Sequence, residues 1–156
     1  MIQLRDVLKI VDTFNREGVE YKLFGGMAVN LHGYIHNTED VDFFVDPAPE
    51  NVARIKRAFR AIWNDPHLDE IRDDDMIGAY PSFNYNPPGE DYGIDVISRI
   101  GDAFVYAHLP FQTLDINGIS VRVATARGLY DMKKGTVRYH HQIDADALRE
   151  RFEFKE

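Results

Sequence analysis

The 156-residue sequence predicts an α/β (α+β) fold in a single domain, and three observations carry that reading. Apolar residues recur at helical spacing near residues 3 to 16, again from Glu50 to Trp63, and again from Ala124 to Lys134. Between these stretches lie short apolar runs of strand length, Tyr21–Phe24, Thr38–Val45 and Tyr92–Ser98. Asn117-Gly118 separates two further extended runs, and that pair suits a tight type I′ hairpin turn.

Each element has local grounds. Leu4, Val7, Leu8, Val11 and Phe14 line one face of the first helix, and Gly18 stops it. Tyr21–Phe24 reads as a buried strand, then Met27–Leu31 as a helix ending near Gly33. Residues 34 to 39 connect it to the strand that carries Asp40 and Asp42. Asp46-Pro-Ala-Pro49 ends that strand, because proline cannot donate to a central ladder. Val52, Ile55, Ala58, Phe59 and Ile62 mark the next helix, closed by Asn64-Asp-Pro66.

Residues 67 to 77 are acidic, and Asp73-Asp-Asp75 reads as a solvated loop, since consecutive side chains do not share a face. Ala79–Tyr85 is read as extended, Asn86-Pro-Pro-Gly89 as a turn, and Tyr92–Ser98 as an apolar strand holding Asp95. Phe104–Tyr106 is a short strand, and Leu114–Val123 is the hairpin built on Asn117-Gly118. Thr125 caps a helix that ends before Gly135, and Gln142–Phe152 forms the last helix, so helices occupy the chain from about residue 124.

Composition narrows the function. With 44% hydrophobic and 28% charged residues, the chain is an ordinary globular sequence. It has no cysteine, which excludes disulfides and thiolate metal sites and is compatible with a reducing cytoplasm. Met1-Ile-Gln-Leu-Arg-Asp6 lacks the layout of a signal peptide, and no apolar run reaches membrane-spanning length. A formal net charge of −8 disfavours extensive sequence-blind binding to nucleic acid, which depends on neutralising phosphates.

Chemistry concentrates in Leu23–Gly33 and Thr38–Val45. Alternation along a strand puts Asp40 and Asp42 on one face, where like charges repel unless something neutralises them. A divalent cation does so: Mg²⁺ takes oxygen ligands and is commonly held by one or two carboxylates together with substrate phosphates. Gly25-Gly26 supplies the complement, because backbone N–H groups at a glycine turn opening a helix attract an anion and lack side chains to obstruct it. Asp95 is the third candidate ligand.

Plainer readings stand beside these. A glycine pair is commonly just a turn, Asp40 could cap the preceding turn, and Asp42 and Asp95 could pair with arginines. Lys133 either touches a phosphate or simply complements its helix dipole, and Lys134 belongs to the surface. His32 and His36 with Asp40 hint at zinc, but Gly33 breaks their shared helical face. His140 and His141 diverge by about 100° on a helix and suit capping or solvent. Tyr80, Phe83, Tyr85 and Tyr92 could stack on a base, yet such aromatics fill cores.

Gly25-Gly26, Asp40-Val-Asp42 after a short helix, and Asp95 in a later strand together resemble the minimal nucleotidyltransferases of the DNA polymerase β superfamily, including AbiEii-type toxins. Thr38, two residues before Asp40, also fits, as do Leu129-Tyr-Asp-Met-Lys133, Arg138, Asp144 and Leu148, so the resemblance spans roughly residues 20 to 150. The chain departs from the pattern at His36, where relatives often have Arg, and at His141, in place of an Asp.

The resemblance implies a nucleotidyltransferase fold, a mixed β-sheet flanked by helices. It further implies that Asp40, Asp42 and Asp95 are catalytic and hold two Mg²⁺ ions, with Mn²⁺ as substitute, and that Gly25, Gly26, Thr38 and Lys133 contact the nucleotide. Two such ions about 3.5 to 4 Å apart clamp the attacking and leaving oxygens of an in-line displacement. The expected reaction moves a nucleoside monophosphate from an NTP to a hydroxyl on a tRNA end, a protein or a small molecule, releasing pyrophosphate. An oligomer or a partner protein is expected to complete the acceptor pocket, since little chain follows the module. The alternative is a catalytically silent nucleotide-binding or protein-interaction module, such as a toxin–antitoxin component, for which His36 and His141 are the support.

Overall fold

A computed structural model describes residues 1–34, 37–76, 81–134, 148, 149 and 152, with the side chains of 133 and 134 left aside. The order is α1 (Leu4–Glu17), β1 (Tyr21–Phe24), α2 (Gly25–Leu31), β2 (Val41–Val45), α3 (Pro49–Ile62), β3 (Ser82–Tyr85), β4 (Ile94–Ile97), β5 (Arg99–Ile100), β6 (Phe104–Val105), β7 (Phe111–Ile116), β8 (Ile119–Ala124) and α4 (Ala126–Lys134). Six strands make one mixed sheet, β3-β4-β2-β1-β8-β7, flanked by helices as expected, and β5 and β6 pair separately.

Within this sheet β2 lies between β1, to which it is antiparallel, and β4, to which it is parallel. Tyr21 and Phe43 point to the face covered by α1 and α3: the Phe14 ring sits 5.6 Å from Tyr21, 4.9 Å from Phe43 and 5.7 Å from Phe59. Val7, Ile10, Val11, Val52 and Ile55 complete that buried layer. Its burial fixes the register, because a slip of one residue would turn every apolar side chain of the strand outward. The opposite face therefore carries Lys22, Phe24, Asp42, Phe44 and Asp95.

Local signals account for most boundaries. Gly18 closes α1 at φ 73°, Pro49 occupies the first turn of α3, and Asn117 and Gly118 turn the hairpin at φ 52° and 82°. Thr125 Oγ1 accepts from the Gly128 N–H at 3.1 Å, capping α4 as expected.

Several boundaries differ from expectation. The α2 helix begins at Gly25 rather than Met27, so the glycine pair forms its first turn instead of preceding it. The second strand begins at Val41, leaving Asp40 in the bend before it. The acidic stretch folds into two 3₁₀ turns, Pro66–Glu70 and Asp73–Met76, with Asp73 and Asp74 exposed. The short strand expected at Phe104–Tyr106 is β6, which ends at Val105; its partner β5 was not predicted, since two residues are too few to show a period. Residues 77–80, Gly135 and most of the predicted last helix lie outside the described residues. Among the described residues, no helix is long and apolar enough to cross a membrane.

Candidate active site

Asp42 on β2 and Asp95 on β4 are direct partners in the parallel ladder, so their side chains stand side by side on the face away from α1 and α3. Both are half-buried. The same row continues on either side, with Asn84 of β3 opposite Asp95 and Phe24 of β1 opposite Asp42. Two carboxylates and an amide thus line up across three adjacent strands.

Gly25 follows Phe24 and presses directly on this row. Its φ is +69°, and a Cβ placed there would lie 2.0 Å from Asp42 Oδ2. Only glycine meets both requirements, the left-handed backbone and the close approach. Gly26, half-exposed, is next to it on the first turn of α2.

Asp40 lies just outside the strand, and its Oδ1 accepts a 2.7 Å hydrogen bond from the Gly93 N–H. Gly93 is two residues before Asp95, so this bond ties the approach to β2 to the approach to β4. A Cβ on Gly93 would come within 2.9 Å of Asn86 Oδ1, 3.1 Å of Asn84 Nδ2 and 3.2 Å of Asp40 Oδ1. Thr38 Oγ1 accepts from Asn30 Nδ2 of α2 at 3.1 Å, and its carbonyl accepts from Ile2 N at 3.2 Å, which anchors the chain ahead of Asp40.

Asp95 is oriented from the sheet edge. Its Oδ1 accepts a 2.6 Å hydrogen bond from Asn84 Nδ2, and Asn84 Oδ1 accepts from Asn86 Nδ2 at 2.8 Å. Sequence reading did not single out Asn84, Asn86 or Gly93. The Asn84-Tyr-Asn86 alternation hints at a polar face, but only the strand register shows which carboxylate that face meets.

Lys133 lies on α4, which packs against α2, but its side chain is outside the description. His32 Nε2 is 2.9 Å from the Ala124 carbonyl, a packing role rather than half of a zinc pair, while His36, His140 and His141 lie outside the described residues. Tyr85 and Tyr92 are buried and Phe83 packs against the core, as the plainer reading expects, and Tyr80 lies outside the described residues. A cleft of about 470 Å³ lined by Asp46, Ser98, Arg99 and Tyr106 sits at the other end of β2 and β4, away from Asp42 and Asp95.

The donor set suits a hard divalent cation. Among the described residues, no three acidic or histidine side chains converge into a ready-made metal cage. What the site offers is the adjacent pair Asp42 and Asp95, with the side-chain-free Gly25 against Asp42. That matches the binding mode in which one or two carboxylates act together with substrate phosphates, rather than an all-protein cage.

No family model and no curated protein matches the sequence. Solved structures do match the fold. An inferred nucleotidyltransferase from Thermotoga maritima superposes with a TM-score of 0.63 at 18% identity, covering 98% of this chain and 96% of that one. The lincosamide antibiotic adenylyltransferase LnuA, bound to lincomycin, gives 0.62 at 15% identity, over 95% of this chain and 97% of its own. ANT(2″)-Ia in complex with adenylyl-2″-tobramycin gives 0.58 at 11% identity, over 95% and 88%. The chain therefore has the nucleotidyltransferase fold.

Proposed function

We propose that the protein is a nucleotidyltransferase that moves a nucleoside monophosphate from an NTP to a hydroxyl acceptor. The observation that carries this reading is the pairing of Asp42 with Asp95 across a parallel ladder, pressed by a glycine that tolerates no side chain. Mg²⁺, when bound, supplies charge neutralisation and activation of the attacking hydroxyl. Asp42 and Asp95 would hold it, with Asp40 as third carboxylate on the strand approach. The backbones of Gly25 and Gly26 lie against the triphosphate, and Thr38 and Lys133 contact the nucleotide.

In the proposed reaction the acceptor oxygen attacks the α-phosphorus in line, and the bond to the pyrophosphate oxygen breaks. Asp95 takes the hydroxyl proton, directly or through water. The products are the nucleotidylated acceptor and pyrophosphate. A small-molecule hydroxyl is favoured over a tRNA end by two considerations. The net charge of −8 suits a large polyanion poorly, and the similar folds include an adenylyltransferase holding lincomycin and another holding adenylylated tobramycin.

Calorimetric titration with ATP, GTP, CTP and UTP in Mg²⁺ tests the reading. At least one nucleotide should bind in a metal-dependent way, and Asp42→Asn should lose that binding. A wild-type protein that binds none of them overturns it in favour of a catalytically silent module.

A further inference from the structure

We propose that Asn84, held in turn by Asn86, is the positioning residue that orients the Asp95 carboxylate for metal binding. The inference rests on the proposed site. Asp95 has two equivalent oxygens and a freely turning carboxylate, and its neighbour Asp42 carries the same charge. Left alone, the two carboxylates would turn apart. The 2.6 Å bond from Asn84 Nδ2 occupies Asp95 Oδ1 and holds the carboxylate in one orientation.

Chemistry fixes the direction of this relay. An ionised carboxylate only accepts, so Asn84 must turn its NH₂ toward Asp95 and its carbonyl oxygen away. That oxygen meets Asn86 Nδ2 at 2.8 Å, which sets the second amide as well. Space for the arrangement comes from Gly93, whose missing side chain would otherwise crowd Asn84, Asn86 and Asp40 together. One glycine thus adjoins the supports of Asp95 and also donates to Asp40. Asn84 is exposed on β3, the edge strand, so its amide is not needed to fill the core.

Hydrogen-bond partners of metal ligands typically change affinity by about 10–100-fold when removed. The test is titration of the full chain with Mn²⁺ alone, read by the electron paramagnetic resonance of free Mn²⁺, with thermal unfolding recorded on every variant. Asn84→Ala and Asn84→Leu should bind Mn²⁺ about tenfold more weakly with an unchanged unfolding midpoint. Asn86→Ala should show a smaller loss, and Asn84→Gln, which keeps an N–H donor, should recover part of the affinity. Wild-type affinity in both Asn84→Ala and Asn84→Leu would overturn the positioning role while leaving the metal site standing. If Mn²⁺ binds only together with a nucleotide, the same order of variants is expected in nucleotide affinity measured in Mn²⁺. Failure of the wild type to bind Mn²⁺ alone and to bind any of the four nucleotides in its presence, or binding that Asp42→Asn leaves intact, would overturn the site itself and the relay with it.

Discussion

At the scale of single residues, the site makes two sharp demands. In the proposed site Asp42 carries charge for a ligand, and it is half-buried on the face opposite the main aromatic cluster. Asp42→Asn, nearly isosteric, is expected to lower transfer by at least about 10²-fold, more than the loss of a hydrogen-bond partner would. Its unfolding midpoint should stay near wild type, and a large fall in midpoint would assign Asp42 to stability instead. Gly25 behaves in the opposite way. Forcing Ala to φ +69° costs about 1–2 kcal/mol before the overlap with Asp42 Oδ2 is counted. Gly25→Ala should therefore lose both stability, in urea unfolding, and nucleotide binding, in calorimetry.

Between elements, polar side chains do work that hydrophobic patterning does not show. Asn51 on α3 is 1% exposed, and its amide bridges the start of β1 to the end of β2. Its Oδ1 accepts from Glu20 N at 2.8 Å, while Nδ2 donates to the Glu20 carbonyl at 3.0 Å and the Asp46 carbonyl at 2.8 Å. Asn51→Ala removes all three bonds and takes the side-chain partner from the Glu20 N–H and the Asp46 carbonyl, while the Glu20 carbonyl keeps its bond from Asp46 N; it should cost about 2–4 kcal/mol in urea unfolding. The Thr125 cap is a smaller case, since Thr125→Ala removes one bond to the first turn of α4 and should cost about 1 kcal/mol.

Over the whole molecule, the aromatic core predicts alkaline instability. Burial pushes the hydroxyls of Tyr21, Tyr85, Tyr92 and Tyr106 above the ordinary tyrosine range, with Asp65 adding to the effect at Tyr85. A pKa raised on folding favours the protonated form, so this stability is complete below the unfolded value of about 10 and is lost as pH rises past it. Lys22 opposes the trend: burial lowers its pKa, so losing its proton relieves a cost as pH climbs. Being one group against four, it offsets the loss only in part. Urea midpoints should fall as pH rises above about 10, and a flat profile there would contradict the burial of these hydroxyls.

The sequence by itself determined what short-range chemistry encodes. The helical face of Leu4 to Phe14 with its Gly18 stop, the Asn117-Gly118 turn, the Thr125 cap and the strand identity of the Asp42 and Asp95 segments each depend on a few neighbouring residues. Propensity and periodicity act at that range. The glycine pair was legible as a site for close backbone approach, although the group it approaches was not. Tertiary structure alone decided that Asp42 stands beside Asp95, that Gly25 abuts Asp42, that Asp40 turns to Gly93, and that Asn86 and Asn84 support Asp95. These contacts join strands far apart in the chain, and their register is set by burying Phe43, Val45, Ile94 and Val96 on the shared inner face of β2 and β4. The polar row on the other face follows from that packing, which no local window of sequence contains.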